Sequence, residues 1–352
     1  MPLKIGVLAQ VSAEAQCFST TIPSLRDLGD VVMFSADAGE DVATEAARLG
    51  VPVVPVPWNH HYGELLTTVA QRLGDGPWLI AYADETLVES GTGHWQDVSG
   101  PVAAGVRHRT NDRDSYTEEN ECRAVGTGTA APGFDGLVYA QVRRDSARDG
   151  GTVDPDDLPH SGVVFEHYPA IWPDLSIQRL ARTAQVYRIA LENRPHDTDL
   201  LYGLFHCHYS AHEWPQLRRL AVQWRDAASP DEPNHPLVDY YEACAAVAQR
   251  DAVDALRLAE NAVRRTPTFA DGWYLIGELY AAVGRLTDAD EAFATAAGIG
   301  RDASPIAVDD YSLATWRAWQ ARAVLAKKDG RQQEAEEFLA RARQTRRELR
   351  VG

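Results

Sequence analysis

An α/β domain built on a largely parallel sheet, followed by an all-α array of helical hairpins, is the fold class that three observations predict. The chain has 352 residues, more than one ordinary domain of about 100–200 residues takes up. Its second half repeats small and aromatic residues at a period of about 34 residues. Its first half alternates short apolar runs with amphipathic helical stretches, the pattern of βα units.

The period is clearest after Phe269, where Trp273 is followed by Ile276, Gly277 and Tyr280, a turn at Gly284, and then Ala289, Phe293 and Ala296. That is tetratricopeptide spacing. Gly277 and Ala289 let two antiparallel helices approach, while Trp273, Tyr280 and Phe293 fill the grooves between hairpins. One period earlier, Ala243, Ala255, Ala262 and Pro267 occupy the small-residue and helix-stop positions, with Ala246 in place of the tyrosine. A further unit from Thr315 to Leu349 carries Gly330, Ala335, Phe338 and Ala342, after an insertion around Asp302-Ala303-Ser304-Pro305. An irregular first unit runs from Asp199 to Ala228, and there Trp214-Pro215 opens the second helix, where proline is tolerated. Ahead of it, Leu180, Ala184, Tyr187 and Leu191 give an amphipathic helix expected to cap an array over residues 174–352. Such arrays offer an extended face to peptides, protein partners or a second copy of the chain, so a homodimer through the repeats is one expectation. His206-Cys207-His208 lies in a repeat helix, where residues one and two apart do not share a face, so it is read as packing rather than as a metal site.

In the first half, strands are expected at Leu3–Ala9, Val31–Phe34, Val51–Val56 and Trp78–Tyr82. Helices are expected to end at Leu28 and to span Asp41–Leu49 and Gly63–Leu73. Pro52 and Pro55 make the third strand an edge strand or an extended segment. Ligands of parallel sheets bind beyond the carboxyl ends of the strands, which is where Ser35, Asp37 and Asp84 would lie. The acidic pair Asp84-Glu85 can hold a hard cation, Mg²⁺ or Mn²⁺, against a diphosphate. Between Glu89 and Pro159 the sequence reads as loops with a few short strands, and Arg107-His108-Arg109 as a solvated basic turn.

Hydrophobic residues make up 45% of the chain, yet no apolar run reaches the roughly 18–20 residues that span a bilayer. Met1-Pro2-Leu3-Lys4 lacks a signal-peptide profile. The four cysteines, Cys17, Cys122, Cys207 and Cys244, show no CxxC spacing, which leads to the expectation of reduced thiols and a cytoplasmic protein with no transmembrane segment. A formal net charge of −17 would repel a phosphate backbone, so no nucleic acid is expected as partner.

The order of segments resembles the GT-A (nucleotide-diphospho-sugar transferase) domain of family 2 glycosyltransferases joined to tetratricopeptide repeats, relatives of the bacteriocin S-glycosyltransferases. Ser24–Gly50 resembles the family's helix, strand, Asp-rich turn and helix, and Trp58-Asn59-His60-His61-Tyr62 its W-x-x-D-F motif. Trp78–Glu85 resembles the strand ending in D-A-D-E, and Val164–Tyr168 the H-Y-G segment before the first repeat helix. The departures fall on residues that do chemistry in the family. Tyr82 stands where the first carboxylate is expected, Ser35 replaces the early aspartate, His61 the motif aspartate, Leu66-Thr67 an Arg-Asn pair, and Tyr139-Ala140 a His-Glu pair.

The resemblance implies a GT-A-like domain over residues 1–168 that takes a nucleotide-sugar donor. In it, Asp84 and Glu85 would lie beside the diphosphate, Ser35 and Asp37 near the nucleoside, and His167 with Asp84 near any Mg²⁺ or Mn²⁺. The repeats would present a peptide or protein acceptor for sugar transfer. The alternative is a catalytically inactive scaffold of the same fold that binds protein partners through its repeats.

Overall fold

The computed structural model describes residues 3–90, 95–109, 116–126, 134–135, 141–142, 153–167, 173–303 and 312–351. The chain divides into two compact units, Met1–Ile189 and Ala190–Gly352.

In the first unit, β1 (Lys4–Ala9), α1 (Phe18–Arg26), β2 (Asp30–Ser35), α2 (Glu40–Arg48), β3 (Val53–Pro55), α3 (Tyr62–Leu73) and β4 (Trp78–Tyr82) follow the expected alternation. β1 pairs in parallel with β2 and β4, and β2 in parallel with β3. The order β3-β2-β1-β4 puts the proline-bearing β3 at the sheet edge. Side chains alternate across the pleat. Ile5, Val7, Leu79 and Ala81 join Phe18, Ile22 and Val42 of α1 and α2 on one face. Leu8, Trp78 and Ile80 join Leu65, Leu66 and Val69 of α3 on the other. Helices therefore cover both faces, which accounts for the near-continuous apolar runs in β1 and β4.

β5 (Glu85–Ser90), β6 (Pro101–Arg109), β7 (Tyr116–Val125) and β10 (His160–His167) extend the sheet to the order β3-β2-β1-β4-β7-β6-β10-β5, while β8 (Phe134–Asp135) and β9 (Gln141–Val142) pair separately. The stretch expected to be mostly loop thus holds β6 and β7, strands of 9 and 10 residues in an antiparallel pair. Arg107 and His108 lie on β6 and not in a turn. Charge along β7 hides this strand from an apolar-run criterion, yet Arg123 Nε meets the half-buried Glu121 Oε2 at 2.8 Å on one face, so the buried arginine is paired. α4 (Pro173–Asn193) closes the unit and turns Arg179 and Arg182 toward the sheet's strand ends.

Among its described residues the second unit forms four helical hairpins: α5 (Thr198–Ser210) with α6 (Trp214–Ala227), α7 (His235–Ala248) with α8 (Ala252–Arg265), α9 (Ala270–Ala282) with α10 (Leu286–Ala303), and α11 (Trp316–Lys328) with α12 (Gln332–Val351). Between hairpins the contacts are mostly with the next helix along, as α8 with α9 and α10 with α11, which is how a repeat array buries its core. The tetratricopeptide-type positions do the packing. A Cβ added at Gly277 would come within 2.7 Å of the Phe293 ring, so the glycine is what allows α9 and α10 to meet. Gly277→Ala is expected to cost about 1–3 kcal/mol through this overpacking, seen as a lower midpoint when helical circular dichroism is followed in urea. An unchanged midpoint would mean that the ring moves aside freely. Tyr139, Ala140 and part of the insertion near Ser304 fall outside the described residues.

Candidate functional site

Parallel strands with a β3-β2-β1-β4 order reverse direction of progression between β1 and β4, and that is where doubly wound sheets bind ligands. Four segments converge there: Gln10 after β1, Ala36-Asp37 after β2, Ala83-Asp84 after β4, and the short 3-10 helix that holds Glu14 (Ser12–Cys17). Ser35 is the last residue of β2, its backbone tied to Val56 by a 2.9 Å hydrogen bond. Asp37 is exposed and adopts φ 58°, a left-handed conformation tolerated by aspartate in turns.

Asp84 is buried, and its Oδ2 lies 2.6 Å from Arg179 Nη1 and 2.8 Å from His167 Nε2. Its Oδ1 is buried without a hydrogen-bond partner. Arg179 also donates through Nε to Glu14 Oε1 at 2.7 Å. Glu14 is fully buried and accepts from the Gln10 and Val11 backbone N–H groups. The guanidinium is thus held between two buried carboxylates. Three residues along α4, on the same face, Arg182 donates to the carbonyls of Gln10 at 2.6 Å and Ala36 at 2.8 Å. Its guanidinium carbon stands 4.0 Å over the Trp58 ring. Together the two arginines span the carboxyl ends of β2, β1 and β4.

Electrostatics follow from burial and from these pairs. Burial alone would raise the Asp84 carboxyl, but Arg179 and then His167 hold it well below the usual carboxylate range. Burial raises Glu14 by more than Arg179 lowers it. The His167 imidazole would be pushed down by burial, yet Asp84 raises it above its ordinary value. His167 Nδ1 faces His108 Nδ1 at 3.1 Å, bringing a residue of the expected basic turn next to the site.

Glu85 points elsewhere. It makes a two-pronged pair with Arg123, at 3.1 and 3.2 Å, in which both side chains are almost fully buried, and accepts from the Tyr82 backbone N–H at 2.8 Å. Arg123 also covers the Tyr82 ring at 4.0 Å. The acidic pair therefore splits, Asp84 toward α4 and Glu85 into the sheet. Of the expected site residues, Asp84 and His167 come together, whereas Ser35 and Asp37 lie at the end of β2, with β1 between them and the end of β4. His61, in place of the motif aspartate, accepts from the Glu64 N–H at 3.3 Å and caps α3, the duty an aspartate would perform there.

A divalent cation such as Mg²⁺ needs near-octahedral oxygen donors. Asp84 Oδ2 is already shared by Arg179 and His167, and among the described residues no group of three or more His, Cys, Asp or Glu side chains could hold a metal ion. With Arg179 in place, the donor set does not fit Mg²⁺ or Mn²⁺. Nothing in the sequence singles out Glu14, Arg123, Arg179 or Arg182 beyond the three-residue spacing of the last two, since a charged residue on a helix ordinarily faces water.

In the second unit a groove of about 500 Å³ lies between α6, α7 and α8, lined by Arg225, His235, Asp239, Arg257, Leu258, Asn261, Arg264 and Arg265. Arg225 is held by Asp239 and Glu242, each at 2.6 Å. Arg257 meets Asp254, and Arg264 donates to Asn261 at 2.9 Å. Among the described residues, Arg264 and Arg265 have no carboxylate partner.

No protein-family model matches this chain, and no curated protein matches it. Solved structures similar to part of it include a crystal structure of MamA, 15% identical over 48% of this chain and 90% of that one, with a TM-score of 0.40. MamA 41-end from Desulfovibrio magneticus RS-1 is 16% identical over 51% of this chain and 94% of its own, with a TM-score of 0.39. YrrB, described as a TPR protein with an unusual peptide-binding site, is 17% identical over 50% of this chain and 84% of its own, with a TM-score of 0.37. The hairpin architecture described above stands on this chain's own packing. Among the described residues no helix is long and apolar enough to cross a membrane.

Proposed function

We propose that this protein is a binding scaffold whose helical array recognises a protein partner, attached to an α/β domain whose ligand crevice is filled by its own side chains. One observation carries this reading: Arg179 and Arg182 occupy the strand ends where a nucleotide sugar would have to sit, engaged with Glu14, Asp84 and two backbone carbonyls. A donor would have to displace two half-buried arginines and leave the buried Glu14 and Asp84 without their shared cation, which costs several kcal/mol before any contact is gained. The array, by contrast, presents an open groove. Panning a random-peptide library on the full-length protein tests the reading: enrichment of a consensus sequence is expected, and a library that stays unenriched would overturn it.

The transferase reading keeps one observation in its favour, the switch point between β1 and β4 with Asp84 and His167 beside it. Calorimetric titration with UDP, GDP and their sugar conjugates, with and without Mn²⁺, is expected to give no saturable heat. Saturable binding that Asp84→Ala weakens would restore transfer as the function, with Ser35 and Asp37 as further donor contacts.

A further inference from the structure

The geometry points to the groove between α6, α7 and α8 as a receptor for an acidic peptide segment; this deepens the scaffold reading and rests on it. Arg257, Asn261, Arg264 and Arg265 recur at spacings of four, seven and eight, so they form one face of α8. Arg225 and Asp239, from α6 and the first turns of α7, make the opposite wall.

The charge balance of the groove selects the ligand. Four of its eight lining residues are arginines and one is an aspartate, in a chain whose formal net charge is −17. Asp239 is engaged by Arg225 at 2.6 Å, and Arg257 by Asp254 at 2.6 Å. That leaves Arg264 and Arg265, both exposed and without a carboxylate among the described residues. A guanidinium is a planar fork that matches a carboxylate in two-pronged fashion, so two adjacent forks suit two carboxylates on one short segment. Asn261 is already turned toward Arg264, which positions that fork.

The size of the groove and the charge around it narrow the ligand further. A space of about 500 Å³ holds several side chains, far more than one small anion fills. A nucleic acid extends its charge well beyond the groove and would be repelled by a chain of net charge −17, whereas a short acidic segment carries its charge only where the arginines are. The groove also joins the second helices of two successive hairpins, α6 and α8, so its shape depends on repeat-to-repeat packing and is set before the ligand arrives.

The test uses the full-length chain and a fluorescein-labelled decapeptide of alternating Asp, Glu and Gly, with the Asn/Gln counterpart as control, read by fluorescence anisotropy. The acidic peptide is expected to bind at least tenfold tighter than its neutral counterpart, with affinity falling as salt rises. Arg264→Glu with Arg265→Glu, in a protein whose circular dichroism is unchanged, is expected to remove that preference. Both positions are exposed, so the fold should survive the change. Equal binding of the two peptides, a preference that survives the double replacement, or displacement by stoichiometric inorganic phosphate would each overturn the acidic-peptide assignment. A consensus from the random library that is neutral or basic would overturn it too while leaving the scaffold reading intact, and only an unenriched library would sink both.

Discussion

Arg179→Ala is expected to destabilise the first unit by about 3–5 kcal/mol, because it strands Glu14 and Asp84 as buried carboxylates without their shared cation. The effect should depend on pH in a stated direction. In the native protein the Asp84 carboxyl is held low, so its contribution is complete above its ordinary value near 4 and is lost only as pH falls through the lowered one. In the variant, Glu14 keeps the upward push of burial and loses the downward pull of Arg179. A carboxyl raised in the folded state takes up protons on folding, so its penalty grows with rising pH and is relieved in acid. The stability gap between variant and native protein should therefore narrow as pH falls below neutral, measured as urea midpoints by tryptophan fluorescence. A gap that is small at neutral pH, or one that widens in acid, would mean that the two carboxylates find water or other partners when the guanidinium is gone.

Arg123→Ala is the second large effect, again about 3–5 kcal/mol, since it leaves Glu85 inside the sheet with only the Tyr82 N–H as partner. The pair need not be stabilising in itself. Replacing both partners by apolar groups, Arg123→Met with Glu85→Leu, is expected to recover most of the loss, because the desolvation of two charges is removed along with their attraction. A double variant as unstable as the single one would mean that Arg123 acts mainly through Glu121 and the Tyr82 ring.

The elements that bury apolar surface were legible in the sequence. β4 runs from Trp78 to Tyr82 as its apolar run predicts, α9 and α10 follow the glycine, alanine and aromatic spacing, and Pro215 lies in the first turn of α6. What escaped is the polar architecture. β7 reads as loop because Glu118, Glu119, Glu121 and Arg123 interrupt it, and only the sheet reveals that Glu121 and Arg123 neutralise each other. Asp84 and His167 could be brought together only through the strand pairing of β10 with β5, which sets His167 opposite Glu85, across more than eighty residues of chain. Arg179 and Arg182 lay in a helix whose apolar positions, Leu180 and Ala184, suggested a cap for the array, whereas its arginines bind the strand ends of the first unit. Charged residues carry no periodic signature of the partner they will meet, so their destinations emerge only from topology.

The strand order also fixes when the first unit can become whole as it leaves the ribosome. β1 to β4 need nothing beyond Tyr82, and could pair while the rest is still being made. The far side waits for β10, which fits between β6 and β5, so β5 has no sheet partner until His160–His167 emerge. Arg179 and Arg182 arrive after that. Until they do, Glu14 and Asp84 have no cation between them, and the nascent strand ends stand open to solvent and to any passing cationic species. Residues made near the end of the unit thus close over the strand ends built by the first.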